Sequence, residues 1–329
     1  MSFAQRLCLL LGSGICLLLL GVHPLTAQSV QKQHLLSSDP THLYRTRKVS
    51  HELALYLLPA QSPTPRGVLL LLPGFGGPAE SVFQETALGQ EASQAGFVTV
   101  VPTLNNRLYL DSSSMYFLDD VLRHLLRQYP SVGPNLVIGG FSAGGHLALT
   151  YAETLVGDTT RLPLRVKAVF GVDPPVDLAN FWQTGQRRIA QACSPLLVRE
   201  GRSMAATLTQ AFGGSPEQVP GAYRQYSAFS SSDSTGGNLA LLRTIPVRVY
   251  CEPDLSFWRE HYCPTMQLED LNTPMLQQLI HCLQRQGNRQ AEYLETRGKG
   301  RVGKRPFPHS WSIVDAPECI RWLQPYTEQ

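Results

Sequence analysis

The sequence has no marked excess of either charge: 28 Lys and Arg stand against 25 Asp and Glu. A balance this close argues against nucleic acid as a general partner and against a polybasic membrane footprint. There is no H-E-x-x-H helix, no C-x-x-C pair and no glycine loop closed by Lys and then Ser or Thr. Neither a zinc site nor a nucleotide phosphate cradle is therefore indicated, and the expectation is a chain that needs no metal and no cofactor. Internal repeats and long low-complexity runs are also missing, which sets solenoids and disordered tails aside. What is present is apolar material, 43% of 329 residues, enough for one large core.

Long hydrophobic runs are absent except at the start, where Arg6 precedes "LCLLLGSGICLLLLGV", then "HPLTA" and the polar "QSVQKQH". The pattern predicts an export signal over 1–27, cut after Leu25-Thr26-Ala27, with a periplasmic or secreted product. The run falls short of the roughly 20 apolar residues of a membrane span, so no stable span is expected after cleavage. Cys16 follows Ile15 rather than a small residue, unlike a lipoprotein signal. Of the seven cysteines, Cys8 and Cys16 would leave with the signal, and Cys193, Cys251, Cys263, Cys282 and Cys319 remain, an odd set in an oxidising compartment. Most read as buried thiols. The sharper alternative pairs Cys251 with Cys263.

Residues 28–42 are polar, without period, and read as a flexible lead. From about 43 to 329 strand and helix signals alternate. "GVLLLL" (67–72), "GFVTVVP" (96–102), "NLVIGG" (135–140), "VKAVFGV" (166–172), "IPVRVYC" (245–251) and the more polar "AEYLET" (291–296) suit strands buried on both faces of a parallel sheet, the last of them at an edge. "SSSMYFLDDVLRHLLRQY" repeats apolar residues at helical spacing behind a serine cap, and "TPMLQQLIHCLQRQG" has a Thr-Pro start and a Gly stop. Alternation of this kind implies an α/β fold, a mostly parallel sheet flanked by helices. The regularity breaks between about 176 and 243, a stretch rich in Gly, Ser, Gln and Pro with one clear helix, "SPLLVREGRSMAATLTQAF"; an insertion of that length predicts a cap or binding region.

Within that frame, Gly140-Phe141-Ser142-Ala143-Gly144 fits G-x-S-x-G after a strand and before a helix, the context the motif requires. So sharp a reversal leaves no room for side chains on either flank, hence the glycines. The turn lifts the Ser142 hydroxyl above the carboxyl edge of the sheet, where open α/β sheets bind ligands.

With "LLLLPGFGG", "GGFSAGGHLA", "PEQVPGAYRQYSAFS" leading to "IPVRVYCEPD", and "FPHSW", residues 43–329 resemble the α/β-hydrolase superfamily, and within it the serine esterases with a cap insertion. The resemblance implies the order nucleophile, acid, histidine. Ser142, Asp254 and His309 occur in that order. His124, His146 and His281 fall in helical patterns, whereas His309 stands in a loop after the last strand and suits a general base. Glu252 and Asp254 both leave the end of the 245–251 strand; the family pattern favours Asp254, and Asp173, at the end of an earlier strand, is a third candidate. The resemblance also implies an oxyanion hole built from the backbone N–H of Ala143 and one from "PGFGG", Phe75 or Gly76. Here Pro73-Gly74-Phe75-Gly76-Gly77 replaces the His-Gly-Gly-Gly form of one esterase branch.

Two further stretches bear on substrate. Arg297, Lys299, Arg301, Lys304 and Arg305 crowd the approach to His309, either as a solvated loop or as a field favouring an anionic substrate. Phe257, Trp258 and Tyr262 read as core or as the wall of an aryl or sugar pocket. The functional expectation is an exported serine hydrolase acting on a small-molecule ester through an acyl-enzyme. The alternatives are a serine peptidase related to prolyl-oligopeptidase catalytic domains and a hydrolase-like binding protein without activity.

Overall fold

A computed structural model describes residues 29–36, 52–104 and 106–328. The expected export signal lies outside them. The chain runs β1 (Gln31–Leu36), β2 (Glu52–Leu58), β3 (Gly67–Leu72), α1 (Val82–Glu85), α2 (Leu88–Gln94), β4 (Phe97–Pro102), α3 (Ser112–Gln128), β5 (Asn135–Phe141) and α4 (Ala143–Gly157). It continues through β6 (Arg165–Val172), α5 (Leu178–Gln191), α6 (Pro195–Phe212), α7 (Pro220–Tyr226), β7 (Val247–Cys251), α8 (Leu255–His261), α9 (Thr273–Arg285), β8 (Ala291–Glu295), β9 (Arg301–Val302), β10 (Arg305–Pro306) and α10 (Ala316–Thr327).

Eight strands form one sheet in the order β1-β2-β4-β3-β5-β6-β7-β8. From β4 to β8 neighbours are parallel, while β2 runs antiparallel to β4 and β1 antiparallel to β2. The central runs are apolar throughout because both faces are covered. In β3, Val68, Leu70 and Leu72 join the core against α3, α4 and α9, and Leu69 and Leu71 join the opposite core against α2 and α10. Both faces of the sheet are thus packed by helices, and the carboxyl ends of its parallel strands meet along one edge.

Several expectations are corrected. The lead over 28–42 contains β1, paired with β2 from Gln31 opposite Leu57 to Leu36 opposite Glu52. An edge strand is held by its backbone ladder, so "QKQHLL" needs no apolar alternation to pair. The cap of α3 is Asp111, whose carboxylate accepts from Ser114 N, rather than a serine. Between β6 and β7 there are three α-helices, α5, α6 and α7, where one was clear from the sequence. Helices α5 and α6 approach closely at Gly185 and Gly201, where a Cβ on Gly201 would stand 2.6 Å from the Gly185 carbonyl oxygen. The disulfide joins Cys193 to Cys263, not Cys251 to Cys263. It ties the α5–α6 junction to the loop after α8. Cys251 is a buried free thiol, as are Cys282 and Cys319.

Candidate active site

Ser142 sits between β5 and α4 with φ 52° and ψ −125°, a conformation that costs a non-glycine residue about 1–3 kcal/mol. Surrounding contacts fix it there: its N–H donates to Val172 O at 2.8 Å, and its carbonyl accepts from Gly145 N at 2.9 Å. The flanking glycines are obligatory, since a Cβ on Gly140 would overlap the Gly144 carbonyl and one on Gly144 would overlap the carbonyls of Leu72 and Pro73. The turn is therefore the sharp strand-to-helix elbow that the motif predicts.

His309 lies in the loop between β10 and α10. Its Nε2 is 2.9 Å from Ser142 Oγ, and its Nδ1 is 2.5 Å from Asp173 Oδ2. The imidazole packs on Phe141, ring centroids 4.7 Å apart, so the second residue of G-x-S-x-G serves as a platform for it. Asp173, one residue beyond β6, also has positive φ, 47°, and is held by Asp173 N to Tyr250 O at 2.8 Å and by Asn272 Nδ2 donating to Asp173 O at 2.8 Å.

The carboxylate meeting His309 is thus Asp173, not Asp254. Asp254 begins α8, where its side chain accepts from Phe257 N at 2.9 Å. Glu252 is buried and accepts from Lys299 N at 2.9 Å, Gly300 N at 3.1 Å and Thr296 Oγ1 at 3.1 Å, pinning the segment that leads to His309. Both carboxylates at the end of β7 are committed elsewhere, Glu252 to the loop ahead of His309 and Asp254 to the N-terminus of α8. Asp173 carried one signal of its own: an aspartate directly after an apolar strand and before Pro174-Pro175 stands at the same sheet edge as Ser142.

Ser142 and His309 open into a cleft of about 460 Å³ between the sheet edge and α5 and α6. Ala143, the first residue of α4, and Phe75 line it; Gly76, with φ 70°, is not among the lining residues. The Ala143 N–H is among the first-turn donors that a helix leaves without an internal acceptor. Apolar side chains dominate the walls, among them Leu108, Phe181, Leu197, Met204, Trp258 and Tyr262. Phe257 instead stacks on His261. Sequence reasoning did not anticipate the Arg188–Glu200 ion pair, 2.9 Å, set in the wall by α5 and α6. The basic run does not line the cleft: Arg301, Lys304 and Arg305 stand exposed on the β9–β10 hairpin.

Sheet order, elbow and strand-edge constellation together define the α/β-hydrolase fold, and solved structures share it. An S-formylglutathione hydrolase from Agrobacterium tumefaciens aligns with a TM-score of 0.53 at 14% identity, covering 92% of this chain and 96% of its own. Carboxyl esterase 2 from the mycorrhizal fungus Tuber melanosporum aligns at 0.53 and 17% identity, covering 92% and 86%. An acylaminoacyl peptidase from Pyrococcus horikoshii aligns at 0.52 and 12% identity; 92% of this chain covers 42% of the peptidase. No protein-family model and no curated protein matches the sequence.

Proposed function

We propose that the chain is a serine hydrolase that cleaves carboxylic esters through an acyl-enzyme. The observation that carries the reading is the continuous hydrogen-bonded line Ser142–His309–Asp173 opening into an apolar cleft. His309 Nε2 takes the hydroxyl proton as Ser142 Oγ attacks the ester carbonyl, and Asp173 holds the ring and stabilises the imidazolium that forms. The tetrahedral oxyanion is met by the Ala143 N–H, favoured by the N-terminus of α4, and by a second donor from Phe75 or Gly76. Collapse expels the alcohol with the proton from His309, and water then repeats the sequence to release the acid. No metal or cofactor enters these steps. Ester rather than amide substrates are favoured by the esterases among the structures that share the fold.

The same proposal takes residues 1–27 as an export signal. A disulfide between Cys193 and Cys263 suits an oxidising compartment, and N-terminal sequencing of the exported protein should begin at Gln28. No helix among the described residues is long and apolar enough to cross a membrane.

A fluorophosphonate probe should label the parent protein and not Ser142→Ala. Turnover of p-nitrophenyl butyrate by that variant should fall by about 10⁴-fold or more. An unlabelled, inactive parent would leave a binding protein with a hydrolase fold, and amide turnover exceeding ester turnover would make the chain a peptidase.

A further inference from the structure

We propose that Cys251 is a positioning residue of this site: its thiol holds Oδ1 of Asp173 while Oδ2 meets His309. The inference rests on the serine-hydrolase reading and deepens it. Strands β6 and β7 are in register with Val172 opposite Tyr250, so the next residues along each, Asp173 and Cys251, leave adjacent strand ends side by side. Cys251 Sγ is 3.3 Å from Asp173 Oδ1 and 3.0 Å from Thr273 Oγ1, and the residue is 2% exposed.

The direction of these bonds follows from what each group can give. Burial, reinforced by the negative charge of Asp173, pushes the Cys251 thiol far up, so it keeps its proton. The Asp173 carboxylate accepts only. The single thiol proton therefore goes to Oδ1, and the Thr273 hydroxyl donates in turn to Sγ, making a line of donors from Thr273 through Cys251 to Asp173. Asn272, next to Thr273, binds the Asp173 carbonyl from the same side. With Oδ1 and Oδ2 both engaged, rotation of the carboxylate about its Cβ–Cγ bond would break two contacts rather than one. Since Glu252 holds the loop ahead of His309 and Asp254 caps α8, the end of β7 supplies a donor to the acid instead of the acid itself.

The test compares Cys251→Ala, Cys251→Ser and Thr273→Val with the parent, using steady-state hydrolysis of p-nitrophenyl butyrate from pH 5 to 9. In Cys251→Ala, kcat should fall about three- to tenfold, the loss of one hydrogen bond, with KM within twofold. The carboxylate, short of a donor, becomes more basic and stabilises the imidazolium more. The acidic limb of kcat/KM should therefore move to higher pH. Cys251→Ser restores a donor and should recover most of the rate and the parental limb. Thr273→Val leaves the thiol free to donate to Asp173 and should keep the parental limb. Equal losses in the Ala and Ser variants, or a limb unmoved in Cys251→Ala, overturn the assignment. If Cys251→Ala does not fold, a limb shifted by Thr273→Val and parental in Cys251→Ser would show the thiol turned to Thr273, and equally overturns it. Parent protein that neither labels with fluorophosphonate nor turns over ester defeats the hydrolase reading instead.

Discussion

Ser142, Asp173 and Ala192 are the non-glycine residues with positive φ among the described residues, and two of the three meet at His309. Backbone strain of about 1–3 kcal/mol per residue persists only where the surroundings over-determine it, and at both positions backbone hydrogen bonds to neighbouring strands do so. Asp173 and Asp254 can be separated on this basis. Asp173→Asn keeps a residue that tolerates positive φ but presents an amide to the imidazole, so the required tautomer is lost. Its kcat on a p-nitrophenyl ester should fall by about 10⁴-fold with little change in melting temperature. Asp254→Ala removes the cap of α8 and should cost about 1 kcal/mol of stability with kcat within a few-fold of the parent. Comparable rate losses in the two variants would return the acid to β7.

At the scale of elements, the wall of the cleft is a helical hairpin latched to the loop after α8. Besides the Cys193–Cys263 disulfide, Arg187 Nε on α5 pairs with Asp270 Oδ1 at 3.0 Å, and Gln191 Nε2 donates to Asp270 Oδ2 at 3.1 Å. On the opposite side, Phe212 from α6 stacks on Tyr226 from α7, ring centroids 5.1 Å apart. The disulfide spans 70 residues, and the loop-closure model assigns such a link about 4 kcal/mol. Cys193→Ser should therefore lower the melting temperature. It should also reduce kcat/KM for octanoyl esters more than for acetyl esters, because the larger acyl group depends on the α5–α6 wall. A parallel loss for both esters would mean that the latch does not shape the cleft. The latch was not legible in the sequence and the acid only as one of three candidates, Asp254, Glu252 and Asp173, and the reason is the same: each depends on which remote segments become neighbours. Strand ends β6 and β7 are adjacent in the sheet, so a carboxylate from either reaches the same imidazole, and spacing along the chain does not separate them. The strands β3 to β7 were legible because burial on both faces demands continuous apolar runs, and the edge strand β8, more polar, less so. The elbow was legible because its glycines are a steric requirement written locally. Strand β1, an edge strand whose backbone ladder does not require an apolar run, left no such trace.

For the molecule as a whole, α4 carries two buried ionisable groups behind the nucleophile, and they pull the stability curve in opposite directions. Burial lowers His146 to about 4, while its Nε2 donates to Tyr226 O at 3.0 Å, so the folded protein holds it neutral. A base depressed from 6.5 contributes stability that is complete above 6.5 and lost as pH falls towards 4, about 3 kcal/mol over that window. Glu153 behaves inversely. Burial raises it well above the ordinary carboxylate value of 4.5, and its Oε1 has no hydrogen-bond partner among the described residues. An acid raised in the folded state costs nothing below its unfolded value. Above that value it destabilises by about 1.4 kcal/mol per pH unit for as long as the folded group keeps its proton. Glu153→Gln keeps the shape and removes the titration. Thermal unfolding of parent and variant should then coincide most closely near pH 4 and separate as pH rises above it, the variant melting higher. Below pH 6.5 the variant should lose stability through His146, while in the parent the opposite contribution of Glu153 offsets that loss. A constant difference in melting temperature from pH 4 to pH 8 would show that Glu153 does not titrate between the folded and unfolded states.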